Sequence, residues 1–265
     1  MIYMKSILIT NDDGFESEGL KALAEALKPL GHITIVAPSS EKSACGHSLT
    51  LTRPLRFIAI EDDFFKLDDG TPSDCVYLSI NALFKKDSLP DLVVSGINKG
   101  SNMGEDITYS GTASAAMEAV LQGIPAIAIS QVYDKSPSSL TKQSYGLAKK
   151  VIHDIVKKIF EGSFPLEERK FLNINVPFTQ EFKGYKITKA GYRVYGNDAD
   201  LHRNPRGEEY YWLGTHSLRH KENPTKDCDL SAVSEGYVSI TPIQLDMTSY
   251  SELDRLDTWI NDKKR

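Results

Sequence analysis

Short apolar runs alternate with amphipathic segments along the first two thirds of the chain. The runs are rich in β-branched residues and end at turn formers, which predicts buried strands at 6–10, 33–38, 91–96, 125–130 and 171–177. Weaker strand-like pieces lie at 49–60 and 64–67, and helical spacing of apolar residues predicts helices at 20–31, 71–84, 111–122 and 140–160. This alternation predicts an α/β fold, with a doubly wound, mostly parallel sheet, helices on both faces and right-handed crossovers.

The pattern changes after about residue 180. Tyr, Arg, Asn and Gly become frequent over 185–215, and one more strand is expected at 237–243 before a helical pattern at 251–260. No internal repeat and no Gly/Ser-rich linker separates the two parts. We therefore predict an α/β core at 1–180 and a β-rich C-terminal extension at 181–265, which packs on the core and serves as an arm for oligomerisation.

The composition fits a folded protein in a reducing compartment. The 265 residues are 40% hydrophobic with a formal net charge of −5, which excludes wholesale disorder and argues against a dedicated nucleic-acid coat. Cys45, Cys75 and Cys228 lie far apart without C-x-x-C spacing, so we expect no structural zinc and a cytoplasmic location. The amino terminus lacks the h-region of a signal peptide, and no run of about 18 apolar residues predicts a membrane span.

Two neighbouring acids follow the first predicted strand. Asn11, Asp12, Asp13 and Gly14 come directly after the apolar run at 6–10. Ligands of open α/β sheets bind at the carboxyl ends of strands, and adjacent carboxylates there repel each other unless a cation neutralises them. For the tripeptide DDG alone, a turn followed by a helix cap is at least as good an explanation, because Asp and Gly are common turn residues. The position after a buried strand favours a metal site.

Two further polar loops follow later strand ends. The loop 41–48 offers small residues and hydroxyls, although a solvated loop would look similar, and His47 alone more often has a structural role than a catalytic one. The loop 96–104 contains three glycines and two asparagines, which permits positive φ angles and lets Asn98 offer an amide oxygen to a metal. It lacks the residue order of a P-loop or a dinucleotide-binding turn, which disfavours a nucleoside-triphosphate motor and a dehydrogenase.

The segment 109–112 begins a small-residue helix, and the amides and hydroxyls of a helix start can bind an anion. Capping by Ser110 is the better explanation in isolation, as it is for the helix start at 70–74. Together, the strand ends and this helix start predict one pocket in which Mg²⁺ or Mn²⁺ lies beside a phosphate. No Ser/His/Asp or Cys/His arrangement is evident, which favours hydrolysis of a phosphate ester by a metal-activated water.

The chain resembles the survival protein SurE family of 5′/3′-nucleotidases in the segments ILITNDDG, VAPSSEKSACGHSLTLTRPLR, GTPSDCV, DLVVSGINKGSNMGEDITYSGTASAAMEA, GIPAIAIS, LNINVP and EGYVSITP. The resemblance implies a three-layer αβα, Rossmann-like core and one divalent metal ion per subunit, bound by Asp12, Asp13, Ser43 and Asn98. It also implies hydrolysis of nucleoside 5′- and 3′-monophosphates, trimming of short polyphosphate by some members, and homodimers or homotetramers that exchange the C-terminal segment. FESEG after NDDG and Ser39 depart from the usual pattern, which affects the expected substrate preference but none of the metal ligands.

Substrate-contacting and catalytic residues are assigned within the segments that carry this resemblance. Phosphate and sugar contacts fall on Asn102, Ser110, Gly111 and Thr112. Asp12 and Asp13 are the expected catalytic residues, and either carboxylate is a candidate to accept the proton of the attacking water. The expected partners are a nucleoside monophosphate and further copies of the chain, with no nucleic acid and no membrane.

Two other classes share part of this pattern. A phospho-receiver module also places paired acids after its first strand, but it needs a phospho-accepting Asp at a later strand end, where this chain has Ser95-Gly96 and Ser130. A haloacid-dehalogenase-type phosphatase needs an Asp-x-Asp nucleophile motif, whereas the acids here are adjacent. Multiple-turnover phosphate release from AMP or GMP, against stoichiometric self-phosphorylation, separates an enzyme from a receiver.

Overall fold

The computed structural model describes residues 4–133, 145–179, 182–194, 199–213, 219–220 and 227–261. Their strands are β1 (Ser6–Thr10), β2 (His32–Pro38), β3 (Phe57–Glu61), β4 (Phe64–Leu67), β5 (Leu92–Lys99), β6 (Ala126–Gln131), β7 (Lys170–Val176), β8 (Tyr185–Ile187), β9 (Arg193–Val194), β10 (Ala199–Arg203), β11 (Glu209–Leu213), β12 (Arg219–His220) and β13 (Val238–Gln244). The helices are α1 (Glu18–Leu27), α2 (Pro72–Leu78), α3 (Asp106–Tyr109), α4 (Gly111–Leu121), α5 (Gly146–Glu161), α6 (Asp229–Ser234) and α7 (Leu253–Asn261).

Nine of these strands form one sheet, in the order β3-β4-β2-β1-β5-β6-β7-β13-β8. The run from β4 to β7 is parallel throughout, while β3 pairs antiparallel with β4 and β13 pairs antiparallel with β7. Strands β2, β3 and β4 lie on one side of β1 within the sheet, and β5, β6 and β7 lie on its other side. The topological switch point therefore lies between β1 and β5. The carboxyl ends of β1 and β5 meet there, which is where an open α/β sheet places its ligand.

Helices cover both faces of the sheet, which confirms the three-layer α/β architecture. On one face α1 and α5 pack against each other over the side chains of Ile7, Ile9 and Val94. On the opposite face α2 and α4 pack together over Leu8 and Val93. Because neighbouring side chains of one strand point to opposite faces, these apolar runs are buried on both sides. None of the helices in the described ranges has the length and apolarity needed to cross a bilayer.

One crossover departs from the expected handedness. The connections β5–α4–β6 and β6–α5–β7 step in the same direction along the sheet, yet α4 and α5 lie on opposite faces. The two connections therefore have opposite hands. The β1–α1–β2 and β4–α2–β5 connections share the hand of β5–α4–β6, so β6–α5–β7 is the left-handed exception to a strongly right-handed rule. The prediction of uniformly right-handed crossovers was wrong for this unit.

The observed elements differ from the expected ones at several ends. The strand-like stretch 49–60 is regular only from Phe57, and the α-helix expected over 71–84 ends at Leu78 and continues as a π-helical turn, Ser79–Leu83. The strand expected at 91–96 runs on to Lys99. The first residues of the helix expected at 140–160 lie outside the described residues, and its described part is Gly146–Glu161.

A bulge in β5 explains why that strand runs on. The pairing of β5 with β6 shifts register between Ser95 and Asn98, and Gly96 within the shift has φ +137°. A Cβ at Gly96 would lie 2.2 Å from the carbonyl oxygen of Ile129, so only glycine fits this close approach. The bulge carries Asn98 to the edge of the sheet, where it pairs with Ser130.

The segment after residue 180 contributes both to the core sheet and to an exposed part. Strands β13 and β8 extend the main sheet, whereas β10 and β11 form a separate antiparallel pair, as do β9 and β12. Along the β10–β11 pair, Leu201, Tyr211, Trp212 and Leu213 are exposed. The division of the chain at about 180 stays a prediction, with strands on both sides of it sharing one sheet.

Candidate active site

The side chain of Asp12 lies at the end of β1 against the first turn of α4. It is 4% exposed, and its carboxylate accepts a hydrogen bond from the hydroxyl of Thr112. A Cβ at Gly111 would lie 2.7 Å from the Cβ of Asp12 and 3.0 Å from its Oδ2, so the helix start packs directly on the carboxylate. The partial positive charge of a helix N-terminus favours a carboxylate at this position. Gly111 and Thr112 therefore hold Asp12 in place, while their predicted phosphate contacts stay predictions.

Burial shapes the ionisation of both acids. The pKa of Asp12 is raised to about 6, mainly by desolvation and in part by the charge of Asp13, while the hydrogen bonds from Thr112 act to lower it. Burial also raises the pKa of Asp13, whose Oδ2 accepts the backbone N–H of Lys99 at 3.1 Å. Two desolvated carboxylates side by side are unfavourable as anions without a cation, which is the property expected of metal ligands.

In the metal-free protein, Asp12 is expected to reduce stability as the pH rises. Because its pKa is higher in the fold than in the unfolded chain, its ionisation disfavours the fold progressively from about pH 4 to above its folded-state pKa of about 6. In the presence of chelator, we expect Asp12→Asn to gain about 2–3 kcal/mol over the wild type between pH 4 and pH 8. Urea unfolding of both proteins at pH 4 and at pH 8 measures this gain. A difference in unfolding free energy between the two proteins that is the same at both pH values would contradict the role of burial.

Hydrogen bonds connect the loop 41–48 to Asp12 and to the helices α3 and α4. The N–H of Lys42 donates to the carbonyl of Asp12 at 2.7 Å, and the N–H of Gly46 donates to the carbonyl of Tyr109 at 3.0 Å. His47 pairs with the buried Glu118 of α4 at 2.9 Å, and this hydrogen bond lowers the pKa of the glutamate against the effect of burial. These contacts give His47 a structural role and hold Ser43 beside the acids.

A cleft of about 530 Å³ brings most of the predicted residues together. Asp12, Ser43, Asn98, Asn102 and Ser110 all line it. The Nδ2 of Asn98 donates to the carbonyl of Gly100 at 2.9 Å, which leaves its amide oxygen as the atom suited to a metal. Ser110 caps α4 by accepting the N–H of Ala113 at 3.0 Å, so the capping explanation holds for this residue beside any role in the cleft.

A buried polar network beneath Asn102 was missed at the level of sequence. The Nδ2 of Asn102 donates to the Oγ of Ser130 at 2.8 Å, and its N–H donates to Asn175 at 2.9 Å. Its carbonyl accepts the side-chain amides of Asn173 and Asn175 at 2.8 and 3.0 Å. The alternation of asparagine with apolar residues in the buried run LNINVP is the sequence signal from which this network could have been predicted. It fixes the position of Asn102 at the floor of the cleft.

Two residues of the C-terminal part also hold the loop 96–104. The buried carboxylate of Asp229 accepts the N–H of Gly104 at 2.8 Å and that of Gly191 at 2.9 Å. The guanidinium of Arg193, whose side chain is 9% exposed, bonds Asp106 at 2.7–2.8 Å and lines the cleft. Nothing in the local sequence around these residues predicts contacts across such separations. The C-terminal part thus helps to shape the site.

The donor set fits a hard divalent ion. Among the described residues no group of three or more His, Cys, Asp or Glu side chains forms a metal cluster, so a metal here has two carboxylates supplemented by neutral oxygens. Asp12, Asp13, Ser43 and Asn98 offer such oxygens, which are the ligands that Mg²⁺ and Mn²⁺ prefer. Cys45 lies beside this set, and burial followed by the charge of Asp12 raises its pKa to about 11. A neutral thiol is a poor nucleophile, which argues against a covalent cysteine intermediate.

Fold and cleft together define the class: an open-sheet α/β protein with its site at the switch point. The family profile described as Survival protein SurE matches residues 7–197. The chain is 61% identical over 259 residues to the 5′-nucleotidase SurE of Sulfurovum sp. (strain NBC37-1), covering 97% of this chain and 98% of that protein. It is 60% identical over 264 residues to the 5′-nucleotidase SurE of Helicobacter hepaticus (strain ATCC 51449 / 3B1), covering 97% and 99%.

The fold agrees with these sequence matches. A crystal structure of the SurE protein from Aquifex aeolicus superimposes with a TM-score of 0.80 at 41% identity, covering 97% of this chain and 100% of that chain. The chain therefore belongs to the survival protein SurE family, as its motifs predicted. The relatives give no support to a phospho-receiver or a haloacid-dehalogenase-type phosphatase.

Proposed function

We propose that this chain is a divalent-metal-dependent phosphomonoesterase, a 5′-nucleotidase that hydrolyses nucleoside 5′- and 3′-monophosphates to nucleoside and phosphate. Short-chain polyphosphate is a further proposed substrate, and the cytoplasm is the proposed location. The names of relatives about 60% identical to this chain support the 5′-activity. The observation that carries the proposal is the placement of Asp12 at the start of α4, in one cleft with Ser43, Asn98 and Asn102.

The proposed metal ligands are Asp12, Asp13, Ser43 and Asn98, with Mg²⁺ or Mn²⁺ as the ion, one per subunit. When bound, such an ion supplies Lewis-acid polarisation of the phosphate and a lowered pKa of a coordinated water. Asp12 is fixed by Thr112, whereas Asp13 is less buried and accepts the N–H of Lys99. We therefore assign acceptance of the water proton to Asp13 and the orientation of the site to Asp12.

The phosphate is proposed to lie between the floor of the cleft and the start of α4. Asn102 and Ser110 line this part, and Gly111 follows at the first position of the helix. The amide of Asn102 is already oriented by Ser130 at 2.8 Å, so one of its N–H groups has a fixed direction and the other is available to an anion. Donors fixed before the substrate arrives stabilise charge on the phosphate without reorganisation.

Oligomerisation through the C-terminal segment is part of the proposal. Tyr211 and Trp212 of β11 and Trp259 and Ile260 of α7 expose large apolar side chains. Large apolar side chains exposed in two elements of one segment are the reason that we propose an interface there. We expect sedimentation of the full chain to give a dimer or a tetramer. A monomer at micromolar concentration would contradict this part.

The test of the proposed function is a panel of phosphate-release assays. AMP, GMP, 3′-AMP and tripolyphosphate are each incubated with the chain in the presence of Mg²⁺, Mn²⁺ or chelator. We expect multiple turnovers on the 5′-monophosphates with either metal and loss of activity with chelator. Equal turnover in chelator would refute the metal dependence, and no turnover on any nucleotide would refute the nucleotidase assignment.

A further inference from the structure

The cleft extends well beyond the residues that the proposed function uses. Its volume of about 530 Å³ falls in the range of sites that enclose a whole small-molecule ligand, whereas a phosphate and a metal fill only one end. Besides the proposed metal and phosphate ligands, the cleft is lined by Tyr109, Val132 and Tyr133. These three side chains have no role in the proposed chemistry of the phosphate, and their composition indicates which kind of ligand group they contact.

Two cations are among the described residues that line the cleft: Arg193, which is already paired, and Lys99, whose ammonium lies over the ring of Tyr133. Arg193 is engaged by Asp106 through both its Nε and a terminal nitrogen, and also donates to Ser101 at 3.3 Å. Both members of the ion pair are at most 13% exposed, so the guanidinium is neutralised where it lines the cleft. A second phosphate that used Arg193 would have to replace a formed, largely buried ion pair, which is unfavourable, so Lys99 is the cation of this lining that it could still use. An uncharged aromatic group meets no such cost.

The ring of Tyr133, which lines the cleft, has two described neighbours. The Cε1 of its ring lies 3.7 Å from the point where a Cβ of Gly100 would stand, so the ring packs on the loop that carries Asn98. The Nζ of Lys99 lies 5.5 Å from the ring centroid, within the range of a cation–π contact. An aromatic ring that is already oriented loses little conformational entropy when a planar ligand stacks on it.

Resting on the proposed function, we propose that Tyr133 is the stacking platform for the nucleobase and therefore the residue that makes the enzyme prefer nucleotides over phosphate esters without a base. The phosphate lies at Asn102 and Ser110, and the base extends along the cleft to Tyr133. Stacking on an aromatic ring accepts every base, since each has a π-face. The platform thus selects for a nucleoside but discriminates weakly among adenine, guanine, cytosine and uracil.

The test compares AMP with ribose 5-phosphate, which has the same sugar and phosphate but no base. The wild type is expected to favour AMP in kcat/KM, and Tyr133→Ala is expected to lose roughly tenfold to hundredfold on AMP, mainly through KM. The AMP-to-ribose-5-phosphate ratio should collapse in Tyr133→Ala and be retained in Tyr133→Phe, which keeps the ring. Tyr77→Ala, an exposed tyrosine on α2 outside the cleft, is the matched control and should keep the wild-type ratio.

The outcomes separate this inference from the proposed function. No hydrolysis of either compound by the wild type refutes the nucleotidase assignment itself. Turnover of AMP with no preference over ribose 5-phosphate, or a preference that survives in Tyr133→Ala, overturns the role of Tyr133 alone. An equal loss on both substrates overturns it as well, because a merely structural role has that effect. With tripolyphosphate assayed as a third substrate, a loss in Tyr133→Ala confined to it would also overturn the role, because the side chain would then serve a second phosphate.

Discussion

Replacing Asp12 with asparagine is expected to lower metal-dependent phosphate release from AMP by roughly a thousandfold or more. The substitution keeps the shape of the side chain, and the amide oxygen can still accept the hydrogen bond from Thr112. What is lost is the negative charge that the divalent ion requires. Because the charge of Asp12 is also desolvated, the metal-free variant should be more stable than the wild type at neutral pH. Steady-state kinetics in saturating Mn²⁺, with urea unfolding of the same samples, checks both effects.

Asp154→Asn provides the matched control for this experiment. Asp154 is an exposed aspartate on α5, where its carboxylate lies 3.3 Å from the ring nitrogen of His153. The same chemical change there should leave turnover and metal affinity at the wild-type level. A folded Asp12→Asn protein with near-normal turnover would contradict the proposed mechanism. Loss of activity through unfolding is excluded by the same unfolding curves.

Replacing Gly111 with alanine is expected to remove about two orders of magnitude of activity through crowding alone. The new methyl group would lie 2.7 Å from the Cβ of Asp12 and 3.1 Å from the Sγ of Cys45. The Cβ of Asp12 cannot move aside freely, since it is bonded to the backbone two residues after the end of β1, so the start of α4 must shift away from the carboxylate. Overpacking of this kind costs about 1–3 kcal/mol of stability, and a shift near 1 Å in a catalytic group costs about 100-fold in rate.

The other end of the same helix supplies the control. Gly123 has φ +80° and no atom within 4 Å of its would-be Cβ, so alanine there strains the backbone without crowding anything. We expect Gly123→Ala to lose about 1–2 kcal/mol of stability while its turnover stays at the wild-type level. Measuring kcat and unfolding free energy for both variants separates site geometry from stability. Parallel losses of activity in the two variants would argue against the packing of Gly111 on Asp12.

The sequence predicted that several polar residues lie together at one edge of the sheet because these residues follow buried strands. In a parallel sheet the carboxyl ends of the strands share one edge, so the acids after β1 and Asn98 near the end of β5 had to lie close together. Ser43 and Ser110 line the same cleft as Asp12 and Asn98, as predicted. Identity of the metal and the roles of the ligands stay predictions.

The parts that could not be predicted depend on long-range contacts. The left-handed β6–α5–β7 unit contradicts a general rule that has no local sequence marker. The contact of Arg193 with Asp106 spans 87 positions in the chain, and that of Asp229 with Gly104 spans 125. Periodicity reports which face of an element is buried, but it contains no information about which distant polar groups meet there. Such pairs become visible only in the fold.

The most direct test of the account is anomalous diffraction from wild-type crystals soaked in Mn²⁺. We expect one strong peak per subunit at coordination distance from the carboxylates of Asp12 and Asp13, with the oxygens of Ser43 and Asn98 completing the protein ligands. Addition of phosphate should place an anion between this peak and the start of α4. A peak bound by other residues, or none at these carboxylates in fully occupied crystals, would contradict the proposed metal site.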